Sequence, residues 1–170
     1  MKVRSMLSAA LLLLAGCGPF WVDPYITVRE SPLNWVEIHY YNLNRKPITR
    51  ILVRLSGTGL VEVRHGKSDL VSNDFANKFQ DANWSNLKTS RVQVDPKHLN
   101  DLFQNLVNYG LLDREKTFRG TKEEKVDRFI AAKANLCNTT YSEQENIFET
   151  DPDLAEVMLD VVREFERPGW

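Results

Sequence analysis

Apolar and polar residues alternate along two early segments, 35–41 and 48–56, in the pattern of strands that bury one face. In the first segment Glu37 and His39 fall on the face directed to solvent, and in the second Arg50 and Arg54 do. The polar stretch between the segments contains a proline and interrupts the alternation. The pattern therefore predicts two half-buried strands.

The second strand is predicted to continue into a hairpin at Gly57-Thr58-Gly59. Closing a three-residue loop there gives three opposed pairs: Leu55 with Val61, Val53 with Val63, and Arg54 with Glu62. Apolar pairs then share one face and an ion pair lies on the other, so a slip of one residue would disrupt both faces. A phosphate-binding loop would also need a third glycine, a lysine and a helix start, none of which follows.

Two amphipathic helices are predicted, and each begins at an Asp-Pro pair. Asp95-Pro96 supplies an N-cap and a first helical residue, and Gly110 ends this helix. Asp151-Pro152 repeats the start signal, and the second helix ends before Pro168. The apolar residues recur at helical spacing: Leu99, Leu102, Phe103, Leu106 and Val107 in the first helix, and Leu154, Val157, Met158, Val161, Val162 and Phe165 in the second.

The segments between these elements are less regular. Arg91 to Val94 is a short predicted strand. Val126 to Tyr141 suits a helix by propensity and a strand by alternation. We interpret it as a hairpin with a turn near 135–138. Lys67 to Ser90 is polar and predicts a long loop or one short helix near 74–80. Long loops often bind partners, while a solvated insertion explains this segment equally well.

Together these elements predict an α+β fold, in which a mainly antiparallel sheet of hairpins carries two amphipathic helices on one face. The chain has 170 residues, is 42% hydrophobic and carries a formal charge of −1. This composition is typical of a globular domain, and it excludes disorder and a broad basic surface for nucleic acid.

The N-terminus has the features of an export signal. Lys2 and Arg4 form a positive region, Met6 to Leu14 an apolar one, and Ala15 and Gly16 a small-residue cleavage site. The apolar run is shorter than the roughly 20 residues that span a membrane. A signal peptide is therefore predicted rather than a spanning helix.

The residues Leu14-Ala15-Gly16-Cys17 resemble the lipobox of bacterial lipoproteins at every position. The resemblance implies cleavage between Gly16 and Cys17, a diacylglyceryl group on the sulfur of Cys17 and an acyl chain on its new amine. Two or three acyl chains hold a protein stably on a membrane, whereas one chain does not. The alternative is an ordinary secretory peptide with a chance cysteine. The rest of the chain resembles small envelope lipoproteins of families without an assigned function, which implies no activity.

This resemblance implies three regions, namely a signal peptide at 1–16, a lipidated tether at 17–24 and one α+β domain at 25–170. It places the protein in a bacterial envelope, and Gly18 favours the outer membrane facing the periplasm in a diderm cell. Loss of the signal changes the formal charge to −3. Cys137 is then the one remaining thiol, which excludes an internal disulfide and predicts a small buried residue.

Candidate catalytic residues are sparse. His39, His65 and His98 are each isolated in sequence, and none has the spacing of a metal motif. His39 is predicted to point outward, His65 to lie opposite Ile51, and His98 to lie on the polar side of the first helical turn. We therefore predict no catalytic residue, metal site or cofactor other than the lipid on Cys17.

Other chemistry-bearing groups have ordinary structural explanations. Carboxylate pairs such as Glu123 with Glu124, and Glu143 with Glu145, indicate solvated surface. Four aromatic residues can form a stacking platform for a glycan or peptide, although core packing explains most of them equally: Trp35, Tyr41, Trp84 and Trp170.

Two functions are consistent with these patterns. The first is a non-enzymatic binding module on a lipid anchor, which meets an envelope protein or the cell wall through the sheet, an edge strand or the 67–90 segment. The second is a periplasmic hydrolase or small-ligand-binding lipoprotein whose site is assembled from scattered residues such as His39 and His65. We favour the binding module because no catalytic motif is present.

Replacing Cys17 with serine removes the thiol that the lipobox resemblance assigns to lipidation. We expect the Cys17→Ser protein to keep its signal peptide and to incorporate no labelled fatty acid. Metabolic labelling and the intact mass of the purified protein test this expectation, and Cys137→Ser, which retains labelling, is the matched control. Equal labelling of the Cys17→Ser and parent proteins would contradict it.

Overall fold

Six strands and two helices form the part of the chain that the computed structural model describes, which is residues 26–68, 84–112, 128–136, 139–145 and 152–166. In chain order these elements are β1 (Trp35–Asn42), β2 (Ile48–Ser56), β3 (Leu60–Ser68), β4 (Trp84–Gln93), α1 (Pro96–Asn108), β5 (Arg128–Leu136), β6 (Thr139–Glu145) and α2 (Pro152–Glu166).

The strands form one antiparallel sheet in the order β4-β3-β2-β1-β5-β6. The first four strands are a meander, and β5 then pairs with β1 on its other side. The three hairpin pairs predicted between β2 and β3 are all present: Leu55 with Val61, Val53 with Val63, and Arg54 with Glu62. The hairpin prediction is therefore confirmed in its register.

The main hydrophobic core lies between one face of the sheet and the two helices. Residues that alternate along β1, β2, β3 and β5 form the sheet side of this core: Val36, Ile38, Ile51, Val53, Leu55, Val61, Val63, Ile130, Ala132, Ala134 and Leu136. The helix side comes from the predicted apolar stripes and includes Leu99, Phe103, Leu106, Leu154, Met158, Val161, Val162 and Phe165. The structure confirms the α+β fold with both helices on one face of the sheet.

The ends of α1 follow the predicted signals. The Asp95 carboxylate accepts a hydrogen bond from the backbone N–H of Lys97 at 2.9 Å, and Pro96 begins the helix. Gly110 has a φ of +99°, and the backbone N–H of Leu111 reaches the carbonyl of Leu106 at 3.0 Å. This is the Schellman arrangement, in which a left-handed glycine lets the last carbonyls find donors.

The N-terminal segment 26–34 packs along α1 before it enters the sheet. Gln104 binds the segment at two points, accepting from the N–H of Val28 at 2.8 Å and donating to the carbonyl of Ile26 at 2.9 Å. Val28 is buried in the main core. The described chain is therefore held against the folded domain from its first residues.

One predicted loop is partly wrong. Strand β4 begins at Trp84, so residues 84–90 belong to a strand and not to the predicted loop between Lys67 and Ser90. The strand at Arg91 to Val94 was likewise predicted too short. The strand lies at an edge of the sheet, where most of its side chains are exposed, so no apolar alternation marks it in the sequence.

The ambiguous segment 126–141 contains the predicted hairpin, since β5 and β6 pair from Leu136 opposite Thr139 onward. Several other predictions fall outside the described residues. These are the signal peptide and tether at 1–24, the short helix near 74–80, and the residues Cys137, Glu123, Glu124, Asp151 and Trp170.

Removal of the N-cap at Asp95 tests the start of α1. We expect Asp95→Ala to lower the free energy of unfolding by about 1 kcal/mol, because the N–H of Lys97 loses its acceptor. Asp95→Asn keeps a side-chain oxygen and should remain close to the parent protein. Urea denaturation measures both, and an equal loss in the two variants would contradict the capping role.

Candidate functional site

The face of the sheet opposite the helices, here called the polar face, carries a row of alternating charges across five neighbouring strands. The cross-strand register places Arg91 beside Glu62, Glu62 beside Arg54, Arg54 beside Glu37, and Glu37 beside Lys133. These five residues, called the charged row, come from β4, β3, β2, β1 and β5. Opposite charges on adjacent strands stabilise the sheet pairing.

The carboxylate of Glu62 is bound by two guanidinium groups. Its two oxygens accept hydrogen bonds from Nε of Arg64 at 2.8 Å and from Nε of Arg91 at 2.7 Å. Burial acts to raise the pKa of Glu62, but the bonds and charges of Arg91 and Arg64 outweigh it and hold this pKa below its ordinary value. The Arg91 side chain is 65% exposed and that of Glu62 only 13%, so the cation faces solvent and the carboxylate does not.

Glu37 has a similar position at the centre of the row. Its side chain is 17% exposed, and Oε1 lies 2.8 Å from Nε2 of His39. Burial acts to raise the pKa of Glu37, but the hydrogen bond and charge of His39, with the charges of Arg54 and Lys133, lower it overall. Glu37 is therefore a carboxylate that its neighbours keep ionised.

Beyond the charged row the sheet ends in apolar side chains that are partly or largely exposed. Trp35 lies between two cations, with the guanidinium carbon of Arg54 5.7 Å and Nζ of Lys133 6.0 Å from its ring centre. Leu60 is 40% exposed and Leu33, just before β1, is 67% exposed. We call this part of the polar face, from Trp35 and Leu60 through the charged row, the open end.

The opposite end of the polar face is buried around an arginine. Arg50 is almost fully buried, and its guanidinium carbon lies 4.1 Å from the ring centre of Trp84 and 5.2 Å from that of Tyr41. Nη2 of Arg50 is 3.4 Å from Nδ1 of His39. Glu37, His39 and Arg50 therefore form a continuous polar chain from the open end into this part, which we call the buried end.

Gly66 makes the contact between Trp84 and Arg50 possible. It lies on β3 directly opposite Arg50, and a Cβ atom there would come within 2.9 Å of the Trp84 ring. Because glycine leaves this position empty, a side chain from β4 can reach across β3 to a residue of β2.

The packing of Tyr41 adds to the low polarity of the buried end. Its ring meets Phe129 edge to face at 5.9 Å between centroids. Burial raises the pKa of Tyr41 to about 12, although the charge of Arg50 acts to lower it. Tyr41 is therefore a neutral phenol at physiological pH.

The prediction for His39 is wrong in one respect. The residue lies on the face away from the helices, as its alternation indicated, but its side chain is 0% exposed. Its register partners are Leu52 on β2 and Ala131 on β5, which are both buried. The polar face is thus buried around His39, and the His39 side chain contacts Glu37 and Arg50 rather than solvent.

The other two histidines bind the last turns of α2. Nε2 of His98 lies 2.7 Å from Oε1 of Glu164, and Nε2 of His65 lies 3.9 Å from Oε1 of Glu166. His65 is opposite Ile51, and His98 is exposed on α1, as predicted. The two residues are therefore separated by the sheet from His39, and no group of three His, Cys, Asp or Glu suited to a metal occurs among the described residues.

The prediction for Arg50 is also wrong, because this residue was expected to face solvent and is instead 1% exposed at the centre of the buried end. Alternation placed it on the same face as Arg54, but it could not show that one arginine is buried and the other exposed. Of the proposed aromatic platform, the structure brings Tyr41 and Trp84 together on Arg50 and leaves Trp35 at the open end.

A separate cleft of about 280 Å³ lies between the N-terminal segment, the β2–β3 turn and the start of α1. It is lined by Glu30, Ser31, Pro32, Gly57, Pro96, Asn100 and Phe103. None of the three histidines lines it. The cleft is just below the range of about 300 to 1,000 Å³ that is usual for small-molecule sites.

Comparison with models of known protein families and with curated proteins gives no match to this chain. Within the described ranges, neither helix has the length and apolar character needed to cross a membrane. The predicted lipidation site at Gly16 and Cys17 lies outside these ranges.

The lowered pKa of Glu37 predicts how stability depends on pH. A carboxyl whose pKa is lower in the folded than in the unfolded state stabilises the fold above its ordinary pKa of 4.5, and this contribution is lost as pH falls through the folded value. We expect the free energy of unfolding to decrease below pH 4.5, and to decrease less steeply in Glu37→Gln. Urea denaturation at a series of pH values measures the slope.

The control for this prediction is Asp101→Asn, which changes an exposed carboxylate on α1. It should leave the slope unchanged. If Glu37→Gln and Asp101→Asn have the same slope as the parent protein, the contacts of Glu37 do not determine the acid response.

Proposed function

We propose that this protein is a lipid-anchored envelope protein that acts as a non-enzymatic interaction module and binds its partner through the open end of the polar face. Cys17 in the lipobox supports the anchor, and the geometry of the sheet supports the binding surface. The proposed location is the outer membrane facing the periplasm in a diderm cell.

The observation that carries this proposal is the form of the open end. Five neighbouring strands supply one charged row, the apolar side chains of Trp35 and Leu60 lie beside it, and the exposed Leu33 comes just before β1. This is an extended surface in which charged and apolar groups lie side by side. Such surfaces are typical of recognition of a large partner, whereas small substrates usually bind in a concave site.

The positions of the histidines support binding over catalysis. A hydrolase assembled from scattered residues needs at least two of its groups in one cleft. His39 is buried beside Arg50, while His65 and His98 pair with separate glutamates of α2. The alternative of a periplasmic hydrolase or small-ligand-binding lipoprotein therefore has less support from the described geometry.

A photo-crosslinking amino acid in place of Leu60 tests the proposed surface in intact cells. We expect crosslinked products from this position and none from Asp160, an exposed residue of α2 on the other side of the sheet. In the Cys17→Ser background the product at Leu60 should be lost, because the domain no longer lies at the membrane. Immunoblotting and mass spectrometry identify the product as protein, lipid or cell wall.

Equal products from Leu60 and Asp160, or no product from either, would contradict the proposed surface. The same product in the Cys17→Ser background would show that binding does not depend on the anchor.

A further inference from the structure

The cations and the carboxylates of the open end differ in their exposure to solvent. The Arg91 side chain is 65% exposed and Arg54 is also exposed, whereas the carboxylates of Glu62 and Glu37 are 13% and 17% exposed. Four cations accompany these two carboxylates, three on neighbouring strands and Arg64 on the strand of Glu62: Arg54, Arg64, Arg91 and Lys133. The surface that meets solvent is therefore cationic, although the mature chain has a formal charge of −3.

Apolar side chains border the same cations. Trp35 lies between Arg54 and Lys133, and Leu33 and Leu60 are the exposed leucines at this end of the sheet. Tryptophan and basic residues together are typical of the headgroup level of a membrane, where the ring meets both water and hydrocarbon. A protein partner would explain the apolar groups, but the excess of outward cations specifically favours an anionic surface.

The tether allows this surface to reach the membrane. Ile26 is held on α1 by Gln104, and it lies nine positions after Cys17 in the chain. Nine residues span at most about 30 Å when extended. This upper limit is about twice the radius of gyration expected for a domain of this size, so the open end lies within reach of the membrane that holds Cys17.

We propose that the open end docks on the anionic lipid headgroups of the membrane that holds Cys17. Arg54, Arg91 and Lys133 meet the phosphates, while Leu33, Trp35 and Leu60 lie at the headgroup level. Because the remainder of the mature chain has an excess of acidic residues, an anionic bilayer attracts this face and repels the others, which fixes the orientation of the domain. This inference rests on the proposed function, since it requires the anchor at Cys17.

The experiment uses the full lipidated protein in vesicles of phosphatidylcholine, alone or mixed with phosphatidylglycerol. An environment-sensitive dye is attached at Leu60→Cys, with Asp160→Cys as the control position, both in a Cys137→Ser background. We expect the dye at position 60 to shift to the blue and to be quenched by brominated lipid on the anionic vesicles only. High salt should reverse both changes, and the dye at position 160 should not respond.

Variants of the cations test the chemistry of the contact. Arg54→Gln combined with Arg91→Gln should lower the ratio of docked to undocked protein by about fivefold per charge removed. Arg54→Lys combined with Arg91→Lys keeps the charges and should retain docking. Urea denaturation confirms that these variants remain folded, and the salt titration of the parent protein tests the same charge dependence without any substitution.

The outcomes separate this inference from the proposed function. Protein that floats with vesicles but shows no dye response overturns docking and leaves the anchor in place, whereas protein that does not float overturns the anchor. A salt-insensitive response on neutral vesicles overturns recognition of charge. A response to inorganic phosphate without vesicles, or a protein crosslinked at Leu60 in cells, assigns the surface to a different partner and also overturns docking.

Discussion

Two helices pack on one face of a six-stranded sheet, and the other face has to be stabilised by different means. In the described part of the chain, the polar face meets this constraint in two ways. At one end Arg50 and His39 are buried among aromatic and small apolar side chains. At the other end alternating charges pair across the strands, with Arg54 and Arg91 exposed and the carboxylates of Glu37 and Glu62 mostly covered. The division of this face into buried and open ends follows from that constraint.

The burial of Arg50 depends on the chemistry of the guanidinium group. A guanidinium is planar and weakly hydrated, so it stacks on aromatic rings at a smaller desolvation cost than an ammonium group. Trp84 provides one ring from β4, but it reaches Arg50 only because Gly66 on the intervening strand has no side chain. A contact between β2 and β4 thus links strands that are not neighbours in the sheet.

The sequence was sufficient where structure is set by residues close in the chain. The register at Gly57-Thr58-Gly59 and the start of α1 at Asp95 depend on local spacing and local hydrogen bonds, and both were predicted. The length of β4 and the burial of His39 depend on which strands become neighbours. Alternation gives the face of a residue, but it does not reveal how that face is covered.

Glu37 connects the two ends of the polar face. Its carboxylate lies in the charged row between Arg54 and Lys133, and it also contacts His39, which in turn contacts Arg50. The charges of Arg54 and Lys133 contribute to the lowered pKa of Glu37. An anion that approached these two cations would therefore weaken their effect on Glu37. The cations of the open end are therefore linked through Glu37 and His39 to the buried arginine, and the surface proposed for binding is continuous with this polar chain.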